Sequence, residues 1–169
     1  MTQQPRIDGR RWLETDGGPV LLCPVSLLSS WTGYNGDYDL VIEMTDAGHS
    51  ESYILAERNV VILGDEPLPT TIIESRSLIV QWISGNSEED MRRHASEIDL
   101  DAVAWRVGPV LESDGRFALM DAATPGDEAR GEDTLVFDLG TGRFRLDSAE
   151  VPLAPHTAVK LHRLVLLTV

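Results

Sequence analysis

The order of apolar and polar positions along the chain predicts a protein built mainly of β-strands. Gly18–Pro24 is an apolar run bounded by Gly-Gly and Pro, which is typical of a buried strand. Tyr38, Leu40 and Ile42 alternate with neighbours that include two acids, which predicts a half-exposed strand. The pattern predicts further strands at Ala102–Leu111, Arg116–Asp121, Thr134–Leu139, Arg143–Leu146 and Ala158–Thr168.

Short polar connections between apolar segments indicate hairpins. Glu57-Arg58-Asn59 and Ser75-Arg76 are each flanked by strand-like runs, and Asn tolerates the left-handed turn conformation. Ser113-Asp114-Gly115 and Gly140-Thr141-Gly142 have the composition of hairpin loops. The predicted strand pairs are Ser52–Ala56 with Val60–Leu63, and Thr70–Glu74 with Ser77–Ile83.

One segment carries the pattern of a longer helix. Ser87 precedes three acids in a capping-box arrangement, and carboxylates in the first turn favour the helix dipole. Apolar residues then recur at helical spacing, which predicts a main helix at about 88–98. A shorter helix is predicted at about 25–31, directly after Pro24. The connections are too short for crossover helices, so the expected fold class is α+β, a β-rich antiparallel sheet with one main helix.

The length and the spacing of these elements predict a single domain over residues 1–169. Residues 1–10 carry no strand or helix pattern, and we expect them to be flexible. Residues 123–133 contain no apolar side chain larger than alanine and are predicted to form a loop.

The charge of the chain is strongly negative and unevenly distributed. The 169 residues include 28 acids and 14 bases, only one of them lysine, so the formal net charge is −14. Such a charge argues against a nucleic-acid partner and disfavours anionic membrane surfaces. Residues 35–75 hold nine acids against Arg58 alone, so more than half of the net charge lies in about a quarter of the chain.

The distribution of apolar residues predicts a cytoplasmic protein with no membrane partner. The longest apolar runs fall far short of the roughly 20 residues that span a bilayer. Met1–Arg11 carries no apolar stretch of the kind found in secretory signals. Cys23 is the only cysteine, so an intrachain disulfide is excluded, and its apolar neighbours predict a buried thiol.

Motifs for catalysis and cofactor binding are missing from the sequence. The four histidines form no HExxH pattern, no G-x-S-x-G elbow occurs, and the glycine pairs lack the Lys and Ser/Thr of a phosphate-binding loop. Adjacent carboxylates at Asp65-Glu66 and Glu88-Glu89-Asp90 precede a proline and open a helix, which are structural positions. We therefore predict no catalytic residue, no metal site, no cofactor and no enzymatic activity.

Four local patterns occur in a recognisable order. They are Trp12-Leu13-Glu14-Thr15-Asp16-Gly17-Gly18-Pro19, Ser30-Trp31-Thr32-Gly33, Leu63-Gly64-Asp65-Glu66-Pro67 with Thr70-Thr71, and Trp82 before Asn86-Ser87-Glu88-Glu89-Asp90. Their order and spacing over about residues 11–122 resemble the Immunity protein 21 family of bacterial polymorphic toxin systems. The resemblance implies a cytoplasmic protein that binds and neutralises a cognate toxin domain in a stoichiometric complex. The toxin would normally be encoded next to it.

The acidic segment is the predicted site of such binding. Toxins that cut nucleic acid are usually basic, because they must grip phosphates, and an acidic protein can steer toward them and block them. A basic, nuclease-like toxin domain is thus the expected partner. We expect Asp37, Asp39, Asp65 and Glu66 to contribute to the partner-binding surface. The acids could instead simply solvate exposed strands and loops.

Two other functions stay open from the sequence. The chain could be a small-ligand-binding or hydrolytic domain that uses clustered carboxylates and a histidine in a sheet cleft. It could also be a structural subunit that self-associates through strand edges, although no residue pattern points to a homo-oligomer.

Overall fold

The computed structural model, which describes residues 11–45, 49–129, 131 and 134–168, contains eight β-strands that together hold nearly half of those residues. Their bounds are β1 Val20–Pro24, β2 Ser50–Leu55, β3 Arg58–Leu63, β4 Thr70–Ile73, β5 Leu78–Ser84, β6 Val110–Asp121, β7 Thr134–Ala154 and β8 Thr157–Leu166. They form one sheet in the order β2-β3-β1-β6-β7-β8-β5-β4, and all its pairings are antiparallel.

The helices are few and short, so the predicted β-rich α+β class with an antiparallel sheet is confirmed. The α-helices are α1 Asp37–Met44 and α2 Glu88–Glu97. α2 begins after Ser87, whose hydroxyl accepts a hydrogen bond from the Asp90 backbone N–H at 3.1 Å. Short 3-10 helices occupy Val25–Ser30, where the short helix is predicted, and Gly33–Asn35, Glu74–Arg76 and Leu100–Ala102.

The sheet curves so strongly that distant strands meet. The Ser50 hydroxyl of β2 lies 3.5 Å from the Ser148 hydroxyl of β7, although three strands separate β2 from β7 in the sheet. The inner face of the curve buries a core from nearly every strand, including Phe117 and Phe137, whose rings stack at 6.3 Å. The sheet thereby covers its own apolar face without a second layer.

The outer face of the sheet is covered in two separate places. Val41 of α1 and Trp31 pack on the outer side of β1, β2, β3 and β6. Met91 and Ala95 of α2 pack on the outer side of β4, β5 and β8, together with Trp12. β1 lies between β3 and β6, and all five of its residues are buried. Its sequence is therefore a continuous apolar run rather than an alternating one.

The strand predicted at Tyr38, Leu40 and Ile42 is wrong, because this segment forms α1. The alternating apolar residues do not share a buried face. Val41 is fully buried, whereas Leu40 and Ile42 are exposed. Tertiary packing of Val41 and hydrogen bonds at the helix start decide the conformation here, and they override the local period.

Two predicted hairpin loops are also wrong. Residues 113–115 lie inside β6 and pair with residues 140–142 inside β7. The register shifts beside Gly115, and Gly140 has φ of 74°, so the glycines form an irregularity within two long strands rather than turns. Much of the strand predicted at Ala102–Leu111 is likewise irregular, with a single bridge from Arg106 to Ser148 before β6 begins.

The predicted hairpins β2–β3 and β4–β5 are present. The left-handed positions of the first turn are Ala56 and Glu57, with φ of 47° and 67°, rather than Asn59, which lies in β3. The described residues of the predicted loop 123–133 connect β6 to β7 and include turns. Residues 1–10, which we expect to be flexible, lie outside the described residues.

Candidate functional site

Helix α1 is anchored to the sheet by the carboxylate of Asp37. Its Oδ2 accepts hydrogen bonds from the Thr32 backbone N–H and hydroxyl, both at 2.8 Å. Its Oδ1 accepts from the Tyr53 hydroxyl of β2 at 2.6 Å. Burial alone would raise the pKa of Asp37, but the hydrogen bonds from Tyr53 and Thr32 hold it below its ordinary value. Asp37 is therefore ionised, and its hydrogen bonds connect the start of α1 to β2.

The opposite side of α1 is exposed and carries two parallel rows of side chains. Residues four apart lie on the same side of a helix, so Asp39 and Glu43 form an acidic row. Leu40 and Met44 form an apolar row beside it, and 54% of Leu40 is exposed. Within the described part of the chain, the carboxylates of Asp39 and Glu43 make no hydrogen bond or ion pair. This exposed surface, defined by Asp39, Leu40, Glu43 and Met44, is called the α1 face below.

The two acids of the α1 face are placed where they destabilise the helix considered by itself. Like charges at Asp39 and Glu43 are four residues apart, which costs about 0.2–0.5 kcal/mol. Glu43 also places a negative charge in the last turn, where the helix dipole favours a positive one. Local conflicts of this kind concentrate at functional sites.

Asp65 and Glu66, the other two predicted site residues, have different neighbours. They are exposed in the connection between β3 and β4, after Gly64, whose φ is 80°. Lys160 of β8 is only 4% exposed and lies within the field of both carboxylates. Burial lowers the pKa of Lys160, and the charges of Glu150, Glu66 and Asp65 offset part of that effect. The four predicted residues thus fall into two pairs: one on α1, the other around Lys160.

Two further carboxylates are used in internal ion pairs. Asp147 is fully buried and is held by Arg145 at 2.6 Å and by Arg163 at 3.3 Å. Asp114 is exposed and pairs with Arg58 at 3.2 Å and with the Ser26 hydroxyl at 2.6 Å. The pKa of each carboxyl lies below its ordinary value, since these partners outweigh the cost of desolvation. Both acids stabilise the fold.

A polar cavity of about 290 Å³ lies where the curved sheet brings β2 and β7 together. It is lined by hydroxyls of Ser50 and Ser148 and by the side chains of His49, Glu51 and Arg106, among others. Glu51 is the one carboxylate in this lining.

Behind the cavity, His162 is fully buried in a chain of hydrogen bonds. The Ser148 hydroxyl lies 2.6 Å from Nδ1, and Gln81 Oε1 lies 2.7 Å from Nε2. Gln81 donates in turn to Thr70 Oγ1 at 3.1 Å. The chain ends when the Thr70 hydroxyl donates to the Leu68 carbonyl at 2.8 Å. A carbonyl can only accept, so Thr70 accepts from the Gln81 amide, the Gln81 oxygen faces the ring, and His162 Nε2 carries the proton that it donates. Burial lowers the pKa of His162 well below neutral pH, so the ring is neutral and Nδ1 accepts from the Ser148 hydroxyl.

The cavity does not have the composition that the hydrolase alternative requires. That alternative needs carboxylates and a histidine that converge, and here one carboxylate faces the cavity. Burial and the charge of Lys160 lower the pKa of His162 to about 3, so the ring is a weak base at neutral pH. Within the described ranges, no group of three or more His, Cys, Asp or Glu side chains could hold a metal ion.

One of the four sequence motifs, Ser30-Trp31-Thr32-Gly33, determines local features of the fold. The Trp31 indole donates to the Ala122 carbonyl at 2.9 Å and is buried. Gly33 has φ of 55°, and a Cβ there would lie 2.5 Å from the Pro125 nitrogen. Only glycine fits that approach without displacing the β6–β7 connection. This motif positions the segment that leads into α1.

Sequence reasoning located the acids of α1 but missed its apolar row and the His162 chain. The alternation at residues 38–43 suggested a strand, which would have placed Leu40 in the core. The helix could have been identified from a helical period of 3.6 residues, which places Val41 on the buried side and Asp39 and Glu43 on the exposed side. The His162 chain joins residues far apart in sequence and has no local signature.

Together, the curved antiparallel sheet and its outer helices define a β-rich α+β fold that leaves the α1 face exposed. A model of the Immunity protein 21 family matches residues 11–157, and the chain belongs to that family. No curated protein and no solved structure matches the chain. No helix within the described residues is long and apolar enough to cross a membrane.

Proposed function

We propose that this protein is an immunity protein that binds a cognate toxin domain in the cytoplasm and neutralises it by forming a stoichiometric complex. The observation that carries the proposal is membership of the Immunity protein 21 family over residues 11–157. Binding, rather than catalysis by this chain, is the proposed mode of protection, because the chain offers an exposed acidic and apolar surface.

The charge of the chain supports a basic toxin, such as a nuclease domain. A net charge of −14 attracts a positively charged partner over several ångströms and raises the rate of encounter. A domain that grips phosphates must present Lys and Arg, and an acidic protein competes directly for that surface.

Asp37, Asp39, Asp65 and Glu66 are the proposed toxin-facing acids. Asp39, Asp65 and Glu66 are exposed and present their charge to solvent. Asp37 is partly buried and already accepts three hydrogen bonds. Its proposed contribution is therefore the electric field of its negative charge and the attachment of α1 to the sheet.

Co-expression tests the function itself. The toxin domain encoded next to this gene is expressed from an inducible promoter, with and without this protein. We expect growth arrest without it, restored growth with it, and a complex of equimolar composition in size-exclusion chromatography. Continued arrest, with both proteins folded and expressed, would contradict the proposal.

Charge reversal tests the acidic surface. We expect Asp39→Lys/Asp65→Lys/Glu66→Lys to weaken binding of the same toxin domain at low salt. A matched control, Glu97→Lys/Asp101→Lys/Glu112→Lys, changes the net charge equally at exposed positions elsewhere. Equal binding by the two variants would refute the location of the surface but not the function. Asp37 is left intact because its loss would disturb α1.

A further inference from the structure

We propose that the α1 face is the central contact of the toxin complex, with Leu40 and Met44 as apolar anchors that enter a groove on a basic toxin domain. This inference rests on the proposed function and adds a surface and a partner chemistry to it. The acids Asp39 and Glu43 would form the charged border of the same contact.

The distribution of exposed apolar side chains singles out this part of the molecule. Eight large hydrophobic residues are exposed in the described part of the chain. Four of them lie within eleven consecutive positions that include α1, namely Tyr34, Leu40, Ile42 and Met44. Single exposed apolar residues are ordinary, but a concentration of them marks a binding surface.

The inner side of α1 explains why a helix with such an exposed surface stays in place. Val41 is fully buried against the sheet, and Asp37 is bonded to Thr32 and Tyr53. The helix therefore does not need its outer residues for attachment. Leu40 and Met44 are presented on a fixed support, which lowers the entropy lost on binding.

The charge of the α1 face determines the kind of partner that fits. Residues 34–45 contain Asp37, Asp39 and Glu43 and no Lys or Arg. An apolar groove bordered by Lys or Arg would bury the apolar row and neutralise the acidic row at once. An amphipathic helix that lays its apolar residues into a groove is a recurrent recognition mode. A toxin domain that grips nucleic acid has the required basic border.

Alanine substitution separates binding from folding. Leu40→Ala/Met44→Ala keeps good helix formers on α1, so we expect a folded protein with an unchanged far-ultraviolet spectrum. For the toxin domain encoded next to the gene, we expect the Kd to rise about tenfold or more, mainly through faster dissociation. The matched control Val107→Ala/Leu166→Ala removes exposed apolar side chains elsewhere and is expected to change the Kd less than about twofold.

A second variant tests the acidic row. Asp39→Asn/Glu43→Gln relieves the like-charge pair, so we expect an equal or higher melting temperature together with slower association with the same toxin domain. A variant that is more stable but binds less well indicates that these acids serve binding. If their role were purely structural, stability and binding would change in the same direction.

The outcomes distinguish this inference from the proposed function. A wild-type protein that binds the toxin domain, with both α1 variants binding equally well, overturns the inference and leaves the immunity function standing. A wild-type protein that does not bind the toxin domain overturns both.

Discussion

His162 shows how one buried residue can serve the fold through a single protonation state. Both ring nitrogens take part in hydrogen bonds: Nε2 donates to the Gln81 oxygen, and Nδ1 of the neutral ring accepts from the Ser148 hydroxyl. A proton on Nδ1 would require the Ser148 hydroxyl to accept rather than donate, and it would bury a charge next to Lys160. The chain of bonds from Ser148 to Thr70 links β7, β8, β5 and β4 across the inner face.

Stability should therefore depend on pH through His162. Its pKa is about 3 in the folded protein and 6.5 when unfolded, so the unfolded state binds the proton first as pH falls. The contribution is fully present above pH 6.5 and is lost toward pH 3. We expect the free energy of unfolding to fall by about 2 kcal/mol between pH 7 and pH 5, measured by urea titration.

Two variants identify the source of that dependence. His162→Gln should be less stable at pH 7 and should lose most of the change between pH 7 and pH 5. His94→Gln, on α2, should keep it. The same pH dependence in His162→Gln would show that another group titrates.

At the scale of the elements, the two α-helices differ in how they are held. α2 begins at a Ser cap with three acids in its first turn and buries Met91 and Ala95. α1 begins after Gly36, which provides no side-chain cap, and depends on Asp37 bonded to Thr32 and Tyr53. Local signals therefore specify α2, whereas contacts with a distant strand specify α1.

The cap of α2 can be tested with two serines on one helix. Ser87→Ala removes the acceptor of the Asp90 N–H and is expected to lower the free energy of unfolding by about 1 kcal/mol. Ser96→Ala is the control, because the exposed Ser96 hydroxyl only donates to the Arg92 carbonyl one turn earlier. Chemical denaturation should show a change close to zero for Ser96→Ala. Equal losses would mean that the cap contributes nothing specific.

The attachment of α1 depends on the pair formed by Asp37 and Tyr53. We expect Asp37→Asn to lower the free energy of unfolding by about 1–3 kcal/mol, since charge-assisted hydrogen bonds to Thr32 and Tyr53 are weakened. In a double-mutant cycle with Tyr53→Phe, the two losses should not add. Additive losses would show that the contact between them is not energetically coupled. The pKa of Asp37 is lowered, so this stabilisation is present above pH 4 and disappears in acid.

At the scale of the whole molecule, negative charge is divided between structure and surface. Asp147 is enclosed between two arginines, and Asp114 is paired with Arg58. Asp39 and Glu43 remain without such partners among the described residues. The fold thus leaves part of the negative charge on acids that it does not use, and this charge would attract a basic partner over long range.

This division predicts a salt-dependent association. We expect the association rate with the toxin domain to fall about tenfold or more between 50 mM and 500 mM NaCl, with little change in the dissociation rate. Asp39→Lys/Asp65→Lys/Glu66→Lys should show a weaker salt dependence than wild type. Biolayer interferometry measures both rates. An association rate that is independent of salt would contradict electrostatic steering.

The sequence by itself determined the features that depend on neighbouring residues. The capping pattern at Ser87 and the apolar run of β1 are local, and so are the short turns of the first two hairpins. The motif order likewise resembled the family whose model matches residues 11–157. Each of these signals lies within a few residues or in their linear order, so it can be detected without knowing what the segment packs against.

Only the tertiary structure decided the conformation of α1, the continuity of β6 and β7 and the burial of His162. Residues 38–43 have a strand-like alternation. The helix is nevertheless the stable conformation, because it buries Val41 and lets Asp37 accept a hydrogen bond from Tyr53 in β2. Gly115 and Gly140 resemble turn residues but pair with each other across two strands. His162 and Gln81 are 81 residues apart. Their bond exists because the sheet pairs β5 with β8, which no local pattern encodes.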